Sequence, residues 1–136
     1  MRLSVVVTRG TTNNLFQVAT LVRAATAIDA TVEVFFQDDA LRKLDRSRIN
    51  LLEWSPAYAA VEPLLLDRLR AADFTDLESF LRDAKEHGDA VHYWACAETL
   101  GAGVVNPDEL TPLLDGALAT TDFLDRTRSA DALLSF

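Results

Sequence analysis

Two β-branched runs separated by one apolar helix decide the fold of this chain: Leu3-Ser4-Val5-Val6-Val7 and Thr31-Val32-Glu33-Val34-Phe35-Phe36. Each run has the length and composition of a buried strand. Between them, apolar residues recur at helical spacing from Leu15 to Ala25, after several N-cap candidates at 11–14. A strand, a helix and a second strand within the first 36 residues form a βαβ unit. This unit predicts a parallel sheet with a right-handed crossover.

The remaining sequence continues the alternation of strands and helices. Strands are predicted at 90–95, 115–119 and 130–135, helices at 38–45, 63–72, 75–87 and 121–128, and a further helix start at 106–109. Residues 46–60, which include Trp54 and Tyr58, are predicted to be irregular. Four or five strands alternating with helices indicate an α/β protein with helices on both faces of the sheet.

Three helix boundaries carry side-chain signals. Thr75 and Glu78 have the spacing of a capping box. His87 followed by Gly88 is typical of a helix end with the glycine in the left-handed region. Thr121 is a candidate N-cap for the helix that follows it.

Composition narrows the classes of function. The chain has 136 residues, 49% of them apolar, which predicts a single domain over residues 1–136. Its net charge of −8 argues against nucleic acid and anionic membranes as partners. The longest apolar stretch, 90–97, is too short to span a bilayer, and the first residues lack the pattern of a signal peptide. A single cysteine, Cys96, excludes an internal disulfide and predicts a cytoplasmic location.

Cys96 is the candidate catalytic residue. It follows the third predicted strand, and ligands of open parallel sheets gather at the carboxyl ends of the strands. A thiolate is favoured by a helix N-terminus, which residues 97–100 would supply, and by a cation, for which Arg9 is the candidate. Glu98, Asp38 and Asp39 would oppose that cation if they point inward. The alternative is a buried, inert cysteine, as most free cysteines are.

The loop after the first strand is the candidate binding segment. Its residues are Arg9, Gly10, Thr11, Thr12, Asn13 and Asn14, and their backbone N–H groups would surround an anion at a helix start. His92 alternates with Trp94 within a strand, so packing is its predicted role. One cysteine and two histidines without ligand spacing predict no metal site, and nothing in the sequence predicts a cofactor.

Four stretches, in order along the chain, resemble the DsrE/DsrF-like family of small sulfur-relay proteins, in the branch often labelled predicted peroxiredoxins. They are Val5–Thr11 with Asn13 and Asn14, Val32–Ala40, Tyr93–Cys96, and 115–124 continued through 130–136. The resemblance implies a three-layer α/β/α domain with a mainly parallel sheet of about five strands, and a homo-oligomer, commonly a trimer or hexamer. It also implies that Cys96 carries a persulfide and passes it to an acceptor protein. True peroxiredoxin activity is not expected, because Tyr93 stands where those enzymes have their peroxide-binding threonine.

Two hypotheses about function follow. The first is a cytoplasmic sulfur carrier or sulfurtransferase that uses Cys96 and has donor and acceptor proteins as partners. The second is a non-catalytic oligomeric module that binds a small ligand or a protein while Cys96 stays inert. Self-association is also favoured by Leu51, Leu52, Trp54 and Tyr58, which cluster in a segment with weak secondary-structure signals.

Overall fold

All five strands run parallel in one sheet. The computed structural model describes residues 1–136 and gives the strand order β4-β3-β2-β1-β5. The prediction of an α/β fold with a parallel five-stranded sheet is therefore confirmed. The strands are β1 (Arg2–Val7), β2 (Thr31–Phe36), β3 (Val91–Cys96), β4 (Gly116–Leu118) and β5 (Ala132–Ser135).

Seven helices connect or flank these strands. They are α1 (Thr12–Thr26), α2 (Asp38–Lys43), α3 (Pro56–Ala59), α4 (Glu62–Ala71), α5 (Leu77–Glu86), α6 (Ala97–Gly101) and α7 (Thr120–Thr127). Only one 3₁₀ turn, Pro107–Glu109, forms where the sequence predicted a further helix start. Helix α1 begins as predicted, with the Thr11 side chain accepting a hydrogen bond from the Asn14 N–H.

One face of the sheet, which we call the helix-rich face, supports the main core. Side chains alternate between the two faces of a strand, and on β1, Leu3, Val5 and Val7 all belong to a cluster of 24 buried apolar residues. Helices α1 and α5, which pack against each other, add their apolar stripes to the same cluster. Consequently, the three central strands are buried on this face along their whole length.

The opposite face, which we call the open face, has much thinner cover. Its buried apolar cluster contains three residues, Phe35 of β2, Cys96 of β3 and Phe123 of α7. Helix α7 has eight residues, and Phe123 is its one buried side chain. The third layer of the fold is therefore a single short helix.

Two helix boundaries differ from the sequence prediction. The cap of α5 is Asp76, whose carboxylate accepts the Ser79 N–H at 2.7 Å, and Thr75 plays no capping part. His87 is the C-cap as expected, but the left-handed φ predicted for Gly88 is not observed. A Cβ at Gly88 would lie 2.4 Å from a methyl carbon of Thr26. Close packing between α5 and α1, not turn geometry, therefore explains this glycine.

In two further segments the structure differs from what the local sequence pattern predicts. The region 46–60 is irregular, as predicted, except that Pro56–Ala59 forms one helical turn with its proline at the first helical position. Helix α7 starts at Thr120 with Ala119 as the N-cap residue, so the prediction of Thr121 as the cap is wrong. An acceptor from outside this helix replaces the cap, as described next.

Candidate functional site at the carboxyl ends of the strands

Cys96 lies at the junction predicted for it. It ends β3 and is the N-cap residue of α6. Its side chain points to the open face, beneath the stacked rings of Phe35 and Phe123, whose centroids are 4.6 Å apart. Cys96 is only 2% exposed. The sulfur therefore has a strand-end position but no open path to solvent.

A carboxylate is the nearest charged group to the sulfur. The Cys96 S–H donates to Glu98 Oε2 at 3.4 Å, and the sulfur lies 3.9 Å from Thr120 Oγ1. Cations and helix N-termini stabilise a thiolate, whereas a carboxylate does not. The sulfur thus has a carboxylate, and no cation, as its charged neighbour.

Glu98 also joins the two short helices that enclose the cysteine. Both of its carboxylate oxygens accept the Thr120 N–H, at 3.0 and 3.1 Å, and so cap α7 from the first turn of α6. This donation from Thr120 is the main reason that the pKa of Glu98 is lowered, with its own backbone N–H as a second contribution. A change at Glu98 would therefore affect both the cysteine and the start of α7.

The candidate binding loop is used largely to build the fold. Thr11 caps α1, and the Asn14 Nδ2 donates to the Arg9 carbonyl at 2.8 Å. Thr12 and Asn13 hold a distant segment: the Thr12 N–H donates to the Glu53 carbonyl at 2.7 Å, and the Ser55 N–H donates to Asn13 Oδ1 at 3.0 Å. The side chain of Arg9 is exposed and makes neither a hydrogen bond nor an ion pair.

Arg9 and Cys96 share an edge of the sheet without touching. Arg9 follows β1 and Cys96 ends β3. These strands lie on either side of β2, so at ~4.8 Å per strand about 10 Å separates them. Gly10 packs against the segment after β2, where a Cβ at residue 10 would lie 2.2 Å from the Asp39 carbonyl oxygen. From there the Asp38 N–H donates to Thr99 Oγ1 of α6 at 3.1 Å. The predicted rim therefore exists as a connected set of loops, while direct contact between Arg9 and the sulfur is absent.

Two neighbours of Cys96 were not recognisable in the sequence. Thr120 and Phe123 come from a helix more than 20 residues further along the chain. The stretch 115–124 that resembles the family includes both residues, but it does not indicate that they lie beside Cys96. A small apolar face on α7 was the one available signal, and it does not indicate which residue the helix covers. Glu98, named in advance as a group that would oppose a cation, does lie beside the sulfur.

A polar cluster occupies the open face next to this site. The carboxylate of Glu33 accepts from Trp94 Nε1 and lies 3.5 Å from the Arg126 guanidinium and 3.6 Å from His92 Nδ1. His92 stacks on Trp94 at 5.7 Å, in line with its predicted packing role, and Arg126 lies 5.0 Å from the Trp94 ring centroid. These contacts also tie the far end of α7 to β2 and β3.

Comparisons with known proteins agree with this architecture. The sequence profile of the DsrE/DsrF-like family matches residues 1–136. The chain belongs to the DsrE/DsrF-like family. A search of proteins with curated descriptions gives no match.

A solved structure supports the same fold. A protein of unknown function from Methanobacterium thermoautotrophicum is similar, with a TM-score of 0.65 and 14% sequence identity. The similarity covers 99% of this chain and 98% of the other. At that identity the likeness bears on the fold, which is that of DsrE/DsrF-like proteins, and not on activity.

Two further findings concern metal binding and membrane insertion. No group of three or more His, Cys, Asp or Glu side chains is placed to hold a metal ion. None of the seven helices combines the length and apolar character needed to cross a bilayer.

Proposed function

We propose that this DsrE/DsrF-like protein is a cytoplasmic sulfur carrier, with Cys96 as the residue that holds the transferred sulfur. The observation that carries the proposal is the position of Cys96, which ends β3 and begins α6 in a chain of this family. In this family's sulfur-relay members, as the sequence resemblance implied, a cysteine after the third strand performs this step. Donor and acceptor proteins are then its partners.

The transfer needs no external oxidant or reductant. The Cys96 thiolate attacks the outer sulfur of a donor persulfide, a new S–S bond forms, and the donor's own S–S bond breaks to release the donor thiolate. An acceptor thiolate then attacks the same outer sulfur, which regenerates the Cys96 thiolate. One sulfur atom moves in each step, and the number of thiols and persulfides stays balanced.

Burial of Cys96 requires an opening step before either attack. The first turn of α7 covers the sulfur with Phe123 and is held by Glu98. Displacement of this turn uncovers the sulfur and releases Thr120 from the carboxylate. Once uncovered, the thiol loses its proton to solvent, and the thiolate then lies at the N-cap position of α6. Arg9 and the N–H groups of Gly10 and Thr11, which donate to no other group in the chain, would stabilise negative charge at the rim.

Mass spectrometry of the intact protein tests the carrier role. After incubation with inorganic polysulfide, we expect mass increments of one or more sulfur atoms that a reductant removes, and none for Cys96→Ser. Phe123→Ala, which uncovers the sulfur, should gain sulfur faster than the parent protein. If neither the parent protein nor Phe123→Ala gains sulfur from polysulfide or thiosulfate, the carrier proposal fails.

The alternative is a non-catalytic binding module, and one observation favours it. Cys96 is 2% exposed and pairs with a carboxylate, as an inert structural cysteine would. Iodoacetamide separates the two possibilities at neutral pH. Modification of the folded protein at a rate faster than its global unfolding supports the carrier, whereas protection until unfolding supports the module.

We further propose that the chain forms a homo-oligomer, a trimer or hexamer as the family resemblance implies. Large apolar side chains lie exposed around the turn and helices of 51–64, namely Leu51, Leu52, Val61 and Leu64. Exposed apolar patches of this kind mark interaction surfaces. Sedimentation equilibrium should give a whole multiple of the 15.0 kDa chain mass, and Leu64→Ser should lower it. A 15.0 kDa species at every accessible concentration would contradict the proposal.

A further inference from the structure

The far end of α7 is tied to the sheet by one ion pair. The guanidinium of Arg126 lies 3.5 Å from Glu33 Oε1 on β2 and 5.0 Å from the ring centroid of Trp94 on β3. No other side chain of α7 forms an ion pair with a strand. The start of the same helix is held separately, by Glu98. The Arg126–Glu33 pair is therefore the second of two polar anchors that keep α7 over Cys96.

A histidine faces the same carboxylate oxygen as this arginine. His92 is the register partner of Glu33 on the next strand, and its Nδ1 lies 3.6 Å from Glu33 Oε1. This nitrogen is shielded from solvent and has no hydrogen-bond partner. Buried polar atoms are nearly always paired, so the unpaired Nδ1 is an exception that needs an explanation. In the resting structure Oε1 serves Arg126 and leaves His92 without a bond.

The remaining charges around His92 are already engaged. Strand β1 contributes none, because Ser4 is the residue paired with Glu33 there. The other charged groups nearby form pairs of their own, Asp115 with Lys85 at 2.7 Å and Asp125 with Arg128 at 3.0 Å. Glu33 and Arg126 are therefore the charged groups that decide what a proton on His92 would do.

A proton on His92 would put two cations on one carboxylate oxygen. Histidine is the side chain whose charge ordinarily changes between pH 5 and 8, and 43% of the His92 side chain is exposed, so protons from water reach it. The imidazolium Nδ1–H would compete with Arg126 for Oε1, and the two cations would repel each other. Because His92 belongs to the sheet and Arg126 to α7, protonation weakens the anchor of the helix.

We propose that Glu33, His92 and Arg126 form a proton-controlled latch, which releases α7 and exposes Cys96 as the pH falls from about 8 to about 6. With His92 neutral, Arg126 holds Glu33 and the helix covers the sulfur. With His92 charged, the helix leaves the sheet more often. The role of the latch in sulfur transfer rests on the function proposed above, whereas exposure of the thiol is independent of it.

The rate of Cys96 modification by 2,2′-dithiodipyridine, a disulfide reagent that modifies thiols in neutral and acidic solution, measures this exposure. The rate depends on pH through the thiol as well as through the latch, so the parent protein is compared with His92→Gln, whose residue 92 cannot gain a charge. We expect the ratio of the parent rate to the variant rate to rise roughly 2- to 5-fold between about pH 8 and about pH 6. Amide hydrogen exchange of residues 120–127 should show the same rise in the parent-to-variant ratio.

Matched variants separate the latch from general effects of pH. The chain has two histidines, and His87→Gln removes the one at the end of α5. Arg128→Gln removes an arginine that pairs within its own segment. Both variants should behave as the parent. Arg126→Gln removes the anchor, so it should speed modification roughly 2- to 5-fold at about pH 8 and abolish the pH-dependent difference made by His92→Gln. Urea unfolding shows that each variant is folded.

Three outcomes would overturn the latch. They are a parent-to-variant ratio that does not change with pH, a ratio that falls in acid, and a ratio that still rises in acid when both proteins carry Arg126→Gln. Sulfur uptake from polysulfide is measured separately on the parent protein and on Phe123→Ala. Uptake together with a constant ratio would overturn the latch and leave the carrier, whereas a rising ratio without uptake would support the latch and overturn the carrier.

Discussion

The two faces of the sheet differ in the number of apolar residues that they bury. On the helix-rich face, 24 buried apolar residues form one continuous cluster, while on the open face three residues do so. Strand β3 shows the contrast between adjacent residues, because Tyr93 is 1% exposed on the first face and Trp94 is only partly buried on the second. The candidate reactive residue, Cys96, lies on the weakly covered side.

This difference indicates that stability and chemistry are separated in the molecule. Local opening is easiest where few apolar contacts must be broken. Departure of helix α7 from the open face would break the packing of one buried side chain, Phe123, and the contacts of Thr120 and Arg126. The core beneath α1 and α5 includes no residue of α7. We therefore expect local opening of α7 to expose the Cys96 sulfur without global unfolding.

The largest expected effect comes from removing one phenylalanine from each face. Phe36→Ala, on the helix-rich face, should lower the free energy of unfolding by about 3–5 kcal/mol, because a well-packed core cannot close the cavity. Phe123→Ala should cost less, about 2 kcal/mol, because Phe123 belongs to a cluster of only three buried residues. Urea unfolding measures both. Equal losses would show that the open face is as tightly coupled to the fold as the other.

The second prediction concerns the ion pair between the buried Lys43 and the partly exposed Glu53, beside the helix-rich core. Glu53 accepts from Lys43 Nζ at 2.8 Å, and this bond lowers the pKa of Glu53, while burial lowers the pKa of Lys43. Glu53→Gln leaves the lysine without its counter-ion and should cost about 1–2 kcal/mol at pH 7, less than a fully buried pair because Glu53 is over a third exposed.

The Lys43–Glu53 pair also makes the free energy of unfolding depend on pH, in a direction that can be stated. A carboxylate whose folded-state pKa is depressed contributes stability above its ordinary value near ~4.3, and that contribution disappears as the pH falls below this value. The parent protein should therefore lose stability more steeply than Glu53→Gln between about pH 5 and pH 3. Asp67→Asn, in an exposed pair with Arg70, is the control and should match the parent. Parallel curves for Glu53→Gln and the parent would contradict this account.

A smaller effect is expected from Tyr93→Phe on the helix-rich face. The phenol donates to the Leu81 carbonyl at 2.9 Å and is fully enclosed, and burial raises the pKa of Tyr93. Loss of this one buried hydrogen bond should cost about 1 kcal/mol by urea unfolding. The rate of Cys96 alkylation should not change, since the phenol lies on the other face. A faster rate would show that the two faces are coupled.

The smallest expected effect is a change in the rate at which Cys96, on the open face, is alkylated. Glu98→Gln removes the negative charge beside Cys96, while the amide oxygen can still accept the Thr120 N–H. Alkylation of folded protein by iodoacetamide at neutral pH should speed up roughly 3- to 10-fold. Glu86→Gln, on the exposed side of α5, is the matched control. An unchanged rate for Glu98→Gln would show that cover by α7 alone limits the reaction.

Features set by neighbouring residues were predictable from the sequence. The βαβ unit of residues 2–36, the Thr11 cap and the place of Cys96 at the end of β3 all depend on local patterns. Strong β-branched runs and a good N-cap act within a few residues, so pattern and structure agree there.

Features set by distant contacts were not predictable. Glu98 caps α7 from 22 residues away, and Thr12 and Asn13 bind a segment some 40 residues further on. The sequence shows N-cap residues at 11–14 but not their partners, so an anion site and a structural anchor look alike. Likewise, the cover of Cys96 by Phe123 depends on where α7 docks, which no spacing encodes.

The order of the strands has a consequence for synthesis of the chain. Strand β1 is made first but pairs with β2 on one side and with β5 on the other. At ordinary ribosomal speeds roughly 5–20 s separate the appearance of β2 from that of β5. Throughout this interval one edge of β1 has free N–H and C=O groups, and such an edge can recruit strands from other nascent chains. Crowded translation on one messenger RNA is therefore the condition under which this protein is most exposed to misassembly, and a chaperone that shields the edge of β1 would act before residue 132 emerges.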